Sequence, residues 1–146
     1  MTIVSNKTEH ALDTKSEICI PIKRDTDIVL ACQKGRTLAV QLEFSGNDQV
    51  IIVIAISEVA RNIFQYAGHG EIVLSSVQQD SRPGVQVVAR DKGPGIADIG
   101  RVLQDGYSTG GGLGLGLSGA KRMMDEFDIV SEVGQGTTVT MKKWRK

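Results

Sequence analysis

The sequence predicts an α+β domain: a two-layer α/β sandwich with a mixed, mostly antiparallel sheet and helices on one face. Three observations predict it. β-Branched segments stand on both sides of two long helical stretches. The last two such segments close on each other around the turn "GQG". Strands and helices do not alternate in a repeating βαβ pattern, so a wholly parallel sheet is not expected.

Met1–Lys15 is polar and without periodicity, and reads as a mobile tail; residues 16–146 then form a single domain. Ser16–Ile22 alternates and is β-branched, and Pro21 places it at an edge or an end. Asp25–Phe44 reads as a helix that Asp25, Thr26 or Asp27 can cap, with Ile28, Ala31, Leu38 and Ala39 among its apolar positions. Val50–Ala67 has no breaker, and its length favours one helix whose first half is buried all round. Gly68 and Gly70 stop it.

Glu71–Gln79 and Val85–Asp91 read as strands joined by a turn over Asp80–Gly84. A short helix near Asp98–Asp105, a glycine-rich loop and a helix over Gly116–Phe127 follow, the last with a stripe of Leu117, Ala120, Met123 and Met124. Ile129–Val133 and Thr137–Lys143 are the closing hairpin.

Composition narrows the function. The 146 residues are 40% apolar and 23% charged, ordinary for a globular domain. A formal net charge of +0 implies no general pull toward nucleic acid or membrane. The basic terminus Lys142, Lys143, Arg145, Lys146 reads as solvated. Cys19 and Cys32 form no CxxC and lie among apolar residues, so they read as buried thiols rather than zinc ligands. Met1–Thr14 shows no signal-peptide pattern, which fits a cytoplasmic location.

The chemistry lies in "GGGLGLGLSGAKRMM", Gly110–Met124. A phosphate-binding P-loop requires GxxxxGK[ST], but Ala120 stands where its lysine belongs. The dinucleotide fingerprint GxGxxG does match at Gly114, Gly116 and Gly119. It must follow directly on a strand, however, and "DGYSTGGGL" precedes it.

A third template needs partners elsewhere in the chain. "SEVARNIFQYAG" sets Glu58 and Asn62 four residues apart, on one helix face. "ARDKGPGI" ends an apolar strand on Asp91, with Gly93, Gly95 and Ile96 after it. The glycine loop is third and "GQGTTVTM", with Thr137, is fourth. These segments, in this order, resemble the GHKL ATPase superfamily of gyrase, Hsp90, histidine kinases and MutL, whose ATP-binding domain is the Bergerat fold. The four stretches resemble its N box, its DxGxG box, its ATP lid and its final threonine-bearing strand.

The resemblance implies ATP and Mg²⁺ as cofactors. Asp91 would accept a hydrogen bond from the adenine amino group, with Thr137 behind it. Gly93 and Gly95 would let backbone approach the nucleotide beside Ile96. Asn62 would ligate Mg²⁺, an ion that takes few protein oxygens. Gly112, Leu113, Gly114, Leu115 and Gly116 would bring backbone amides and a helix N-terminus to the phosphates.

With His10 and His69 as its only histidines, neither in a phosphoacceptor-helix context, the chain is most similar to the small serine/threonine kinases of bacterial partner-switching pathways. That implies phosphoryl transfer to a STAS-domain partner, with Glu58 as general base, and activation of a PP2C-type phosphatase by the released kinase. A homodimer is compatible with this reading. The alternative is a nucleotide-dependent anti-sigma factor that sequesters its partner.

Overall fold

The computed structural model describes residues 2–5, 13–104 and 116–146. The chain runs β1 (Thr2–Ser5), β2 (Asp13–Ile22), α1 (Asp25–Gln41), α2 (Gly46–Ala67), β3 (Gly70–Gln79), β4 (Arg82–Asp91), α3 (Ile99–Val102), α4 (Gly116–Met123), β5 (Glu126–Glu132) and β6 (Gly136–Trp144). The six strands form one sheet in the order β1-β5-β6-β4-β3-β2. Every pairing among the described residues is antiparallel, so the parallel component expected of a mixed sheet is not found there.

α2 organises the core. Ser45 accepts the N–H of Asp48 on its hydroxyl and starts the helix, and Gly68 ends it at φ 80°. Ile52, Ala55, Ile56, Val59, Ala60 and Ile63 repeat at three and four residues and are all buried. They pack with Ile72 and Leu74 of β3, Val85, Val87 and Ala89 of β4, and Phe127 and Met141 of the closing hairpin. Each of the larger apolar side chains here contributes about 1.5–3 kcal/mol by leaving water, and each alanine less.

The helix is not buried all round in its first half. Val50 is exposed, and Ile51, Val53 and Ile54 are half-buried. α1 shields only part of that half, so the deepest stretch is Ala55–Ile63. By length and composition alone α2 could cross a membrane; here its apolar stripe faces the sheet. At the start of α1, Asp27 accepts the backbone N–H of Lys23 and of Arg24 at 2.8 and 3.0 Å.

Other expectations are corrected as well. Thr2–Ser5, within the stretch read as a tail, pairs with β5, and β2 begins at Asp13. Four residues are too few to show periodicity, and only the sheet edge supplies their partners. The β3–β4 turn is two residues long, Asp80 and Ser81, both at positive φ, and Arg82–Gly84 already belong to β4. α4 stops at Met123, and Glu126 and Phe127 open β5.

The basic terminus is not solvated throughout. Lys142 and Lys143 are buried in β6. Lys142 pairs with the buried Glu126 at 3.6 Å, and Lys143 donates to the carbonyl of Met123 at 3.1 Å. Nor are the cysteines buried: Cys19 is exposed and donates to Glu71, and Cys32 is half-buried.

Candidate nucleotide site

Antiparallel register gathers the site at one end of the sheet. Asp91 closes β4 and stands directly opposite Thr137, near the start of β6. Thr137 is in turn opposite Ser131 of β5. Asp91, Thr137 and Ser131 continue the rows of Ala89, Val139 and Ile129, all on the helix-covered face. The polar groups therefore replace core side chains where the sheet runs out.

Burial pushes the Asp91 carboxyl above the usual carboxylate range, while the backbone N–H groups of Gly93 and Thr137 pull it back down. The Gly93 N–H donates to Asp91 Oδ1 at 2.8 Å, so the carboxylate also shapes the turn that follows it. A depression of about 450 Å³ borders Asp91, but Arg90 and Thr138 in its lining alternate with Asp91 and Thr137 along their strands, so it opens on the other face of the sheet and does not reach Thr137.

The turn after β4 is seated on the β5–β6 hairpin by backbone contacts. The Gly134 N–H donates to the Pro94 carbonyl at 2.8 Å. Gly95 has φ +79°, and a Cβ there would run into the Glu132 carbonyl oxygen. Gly136, at φ +123°, has the same relation to the carbonyl oxygen of Asp91. A Cβ on Gly93 would lie 2.9 Å from Ala67 Cα. These glycines are therefore required by protein packed against protein, a reason distinct from the nucleotide approach expected of Gly93 and Gly95.

Ser131 is the residue the sequence reading missed. It is buried, and its Oγ accepts the Ile96 N–H at 2.8 Å. The same hydroxyl lies 3.2 Å from the Gly136 carbonyl oxygen and 2.8 Å from Thr137 Oγ1. One signal was available: Ser131 falls two residues after Ile129 in a strand, on the core face, where a polar side chain needs partners.

Glu58 and Asn62 project from α2 one turn apart, and both are buried. The Gly116 N–H, at the first residue of α4, donates to Glu58 Oε2 at 3.0 Å. Asn62 is only 5% exposed. Arg61 turns away and donates to Ser57 Oγ at 3.0 Å. The structure thus brings together Asp91, Gly93, Gly95, Ile96 and Thr137, and separately Glu58 with Gly116. Gly112, Leu113, Gly114 and Leu115 lie outside the described residues.

Residues 47–146 match the family model described as histidine kinase-, DNA gyrase B-, and HSP90-like ATPase. The chain is 49% identical over 126 residues to the serine/threonine-protein kinase RsbT of Bacillus subtilis strain 168, covering 86% of this chain and 95% of that protein. It is 32% identical over 110 residues to an anti-sigma F factor of Geobacillus thermodenitrificans, covering 70% and 74% of the two chains. A structure of the RsbU and RsbW domains of Rv1364c from Mycobacterium tuberculosis shares the fold, with a TM-score of 0.60 at 17% identity over 90% of this chain and 33% of that one. With Asp91, Thr137 and Ser131 in sheet register and two-thirds of its length within the family model, the chain belongs to the histidine kinase-, DNA gyrase B- and HSP90-like (GHKL) ATPases and is a relative of the kinase RsbT.

Proposed function

We propose that this chain is a serine/threonine protein kinase that transfers the γ-phosphoryl group of ATP to a STAS-domain partner in a partner-switching pathway. One observation carries the reading: Glu58, buried on α2 one turn from the buried Asn62, accepts the N–H of the first residue of α4, while Asp91 and Thr137 pair at the end of the sheet. Its near relative RsbT is a serine/threonine-protein kinase.

In this reading residues 16–146, with Thr2–Ser5 and the first residues of β2 on the same sheet, form a single cytoplasmic ATP-binding domain. Asp91 and Thr137 hold the adenine end of ATP. The amides of Gly112–Gly116 receive its phosphates at the positive end of α4. Asn62 fits a magnesium ligand: it stands nearly buried one turn from Glu58, and its amide oxygen is the kind of ligand this ion takes. The ion would neutralise charge on the phosphates and hold them in place.

Glu58 takes the proton of the partner's hydroxyl as its oxygen attacks the γ-phosphorus and ADP leaves. Phosphoryl transfer depends chiefly on positioning and charge neutralisation, so one carboxylate suffices as base. Once its STAS partner is phosphorylated and lets go, the kinase is free to bind and activate a PP2C-type phosphatase.

The similarity to anti-sigma F factors supports a second reading, nucleotide-dependent sequestration of a partner with little turnover. Single-turnover transfer from γ-labelled ATP to candidate STAS-domain proteins tests the two. Stoichiometric label on the partner is the expected result. Tight ATP-dependent complex formation without label would favour sequestration. Asn62→Ala should abolish the Mg²⁺ dependence of ATP binding; an unaltered dependence would remove Asn62 from the metal.

A further inference from the structure

Ser131 has one hydroxyl proton and two neighbours that could take it. Among the described residues Thr137 Oγ1 has no hydrogen-bond partner other than Ser131 Oγ, at 2.8 Å. Ser131 Oγ has a second acceptor within reach, the Gly136 carbonyl at 3.2 Å. Among the described residues only one assignment gives each proton a protein acceptor. Ser131 donates to Gly136, and Thr137 donates to Ser131. The Ser131 oxygen also accepts the Ile96 N–H at 2.8 Å, and a hydroxyl has lone pairs for both bonds.

The consequence reaches the pocket. With its proton turned inward, Thr137 presents only lone pairs outward. Asp91, its direct partner across β4 and β6, is a carboxylate and an acceptor alone when ionised. Two acceptors therefore stand side by side on the same face of the sheet. An exocyclic amino group offers two donors to them. A 6-oxo purine offers a carbonyl oxygen in that place, which would meet lone pairs, and keeps a single donor on this edge, the N1–H.

We propose that Ser131 is a positioning residue for base specificity: by taking the Thr137 proton it makes Thr137 an acceptor beside Asp91, so that the site reads the 6-amino group of adenine and rejects a 6-oxo purine. The inference rests on the ATP reading above and adds the residue that sets the polarity of the site. Sites built to hydrogen-bond a substrate group discriminate well, because a mismatched base leaves buried polar groups unpaired.

ATP and ITP differ only on one edge of the base, where the 6-amino group gives way to an oxo group and N1 gains a hydrogen, so the ratio of their affinities isolates recognition of that edge from general loss of structure. The test is calorimetric titration of both nucleotides with Mg²⁺ on the full chain and on two variants. Ser131→Ala removes the acceptor. Ser131→Cys keeps the volume with a poor acceptor, and decides the matter if the alanine variant does not fold. The unaltered chain should favour ATP, and both variants should narrow the ATP-to-ITP ratio by about tenfold, as Thr137 becomes free to donate to the 6-oxo group.

Equal losses for both nucleotides, or an unchanged ratio, would overturn the proposal and leave Ser131 a packing residue. An unaltered chain that binds ATP and ITP alike also overturns it, whatever the variants do. An unaltered chain that binds neither strikes the ATP reading itself.

Discussion

The backbone N–H of Gly116 donates to Glu58 Oε2 at 3.0 Å, joining the proposed base on α2 to the first residue of α4. The carboxylate and the phosphates proposed for this site are both anions suited to a helix N-terminus. Nucleotide phosphates drawn to these amides would compete with Glu58 for the Gly116 N–H. On the proposed mechanism Glu58 would have two tasks, one at the helix end and one at the hydroxyl of the partner.

Glu58→Gln separates these tasks. The glutamine carbonyl oxygen can still accept from Gly116, so the fold and ATP affinity should stay near normal. Phosphorylation of the STAS partner should fall by roughly 10²–10⁴, and nearer the lower figure, because a loose transition state asks less of a base. Single-turnover labelling at saturating ATP, with a binding titration on the same preparation, checks this. Normal turnover would remove Glu58 from the chemistry; lost affinity would place it in nucleotide binding.

Asp91→Asn should weaken ATP binding while making the nucleotide-free fold no less stable at neutral pH. The sign follows from its raised pKa, for which burial is the largest cause. The folded state holds the Asp91 proton more tightly than the unfolded state does. Its contribution to stability is therefore greatest below the unfolded carboxylate pKa, and is lost as pH rises through the folded one. Thermal melts of both proteins from about pH 3 to 8 should diverge upward in favour of the asparagine variant. A variant that melts lower at neutral pH would show Asp91 to be chiefly structural.

Gly95→Ala should cost at least about 2 kcal/mol. A positive φ alone costs a side chain about 1–2 kcal/mol, and the added methyl group would also meet the Glu132 carbonyl. Urea unfolding gives the value. A loss under about 0.5 kcal/mol, within the range of neutral surface changes, would mean that the turn is not seated on the hairpin as described.

Ser81→Gly should stabilise the protein by about 0.5–1 kcal/mol. Asp80 and Ser81 form the two-residue β3–β4 turn at φ 51° and 66°, the geometry in which glycine is preferred at the second position. Relief of strain is partly offset by the greater freedom of glycine in the unfolded chain. A lower urea midpoint would contradict the assigned turn.

Far from the site, Glu126→Ala should cost about 3–5 kcal/mol, because it leaves Lys142 buried without its partner. The indole N–H of Trp144 would lose its acceptor as well, now Glu126 Oε2 at 2.7 Å. Its effect on ATP affinity at temperatures where the variant is folded should be small. A large loss of affinity there would mean that the two ends of the sheet are coupled.

The sequence by itself determined the fold class, the order of the elements from Ser16 onward and the family. Periodicity and punctuation are local properties, and Glu58–Asn62, Asp91–Ile96 and Thr137 sit in local patterns. What only the tertiary structure decided depends on pairing between distant segments. The register of β4, β5 and β6 sets Ser131 against Thr137 and Thr137 against Asp91. Packing of α4 on α2 brings Gly116 to Glu58, 58 residues earlier in the chain. The same is true of Lys142, which reads as part of a solvated basic terminus until β5 lays Glu126 beside it. A lone lysine or serine carries no local sign of burial, because burial belongs to the neighbour that the fold supplies.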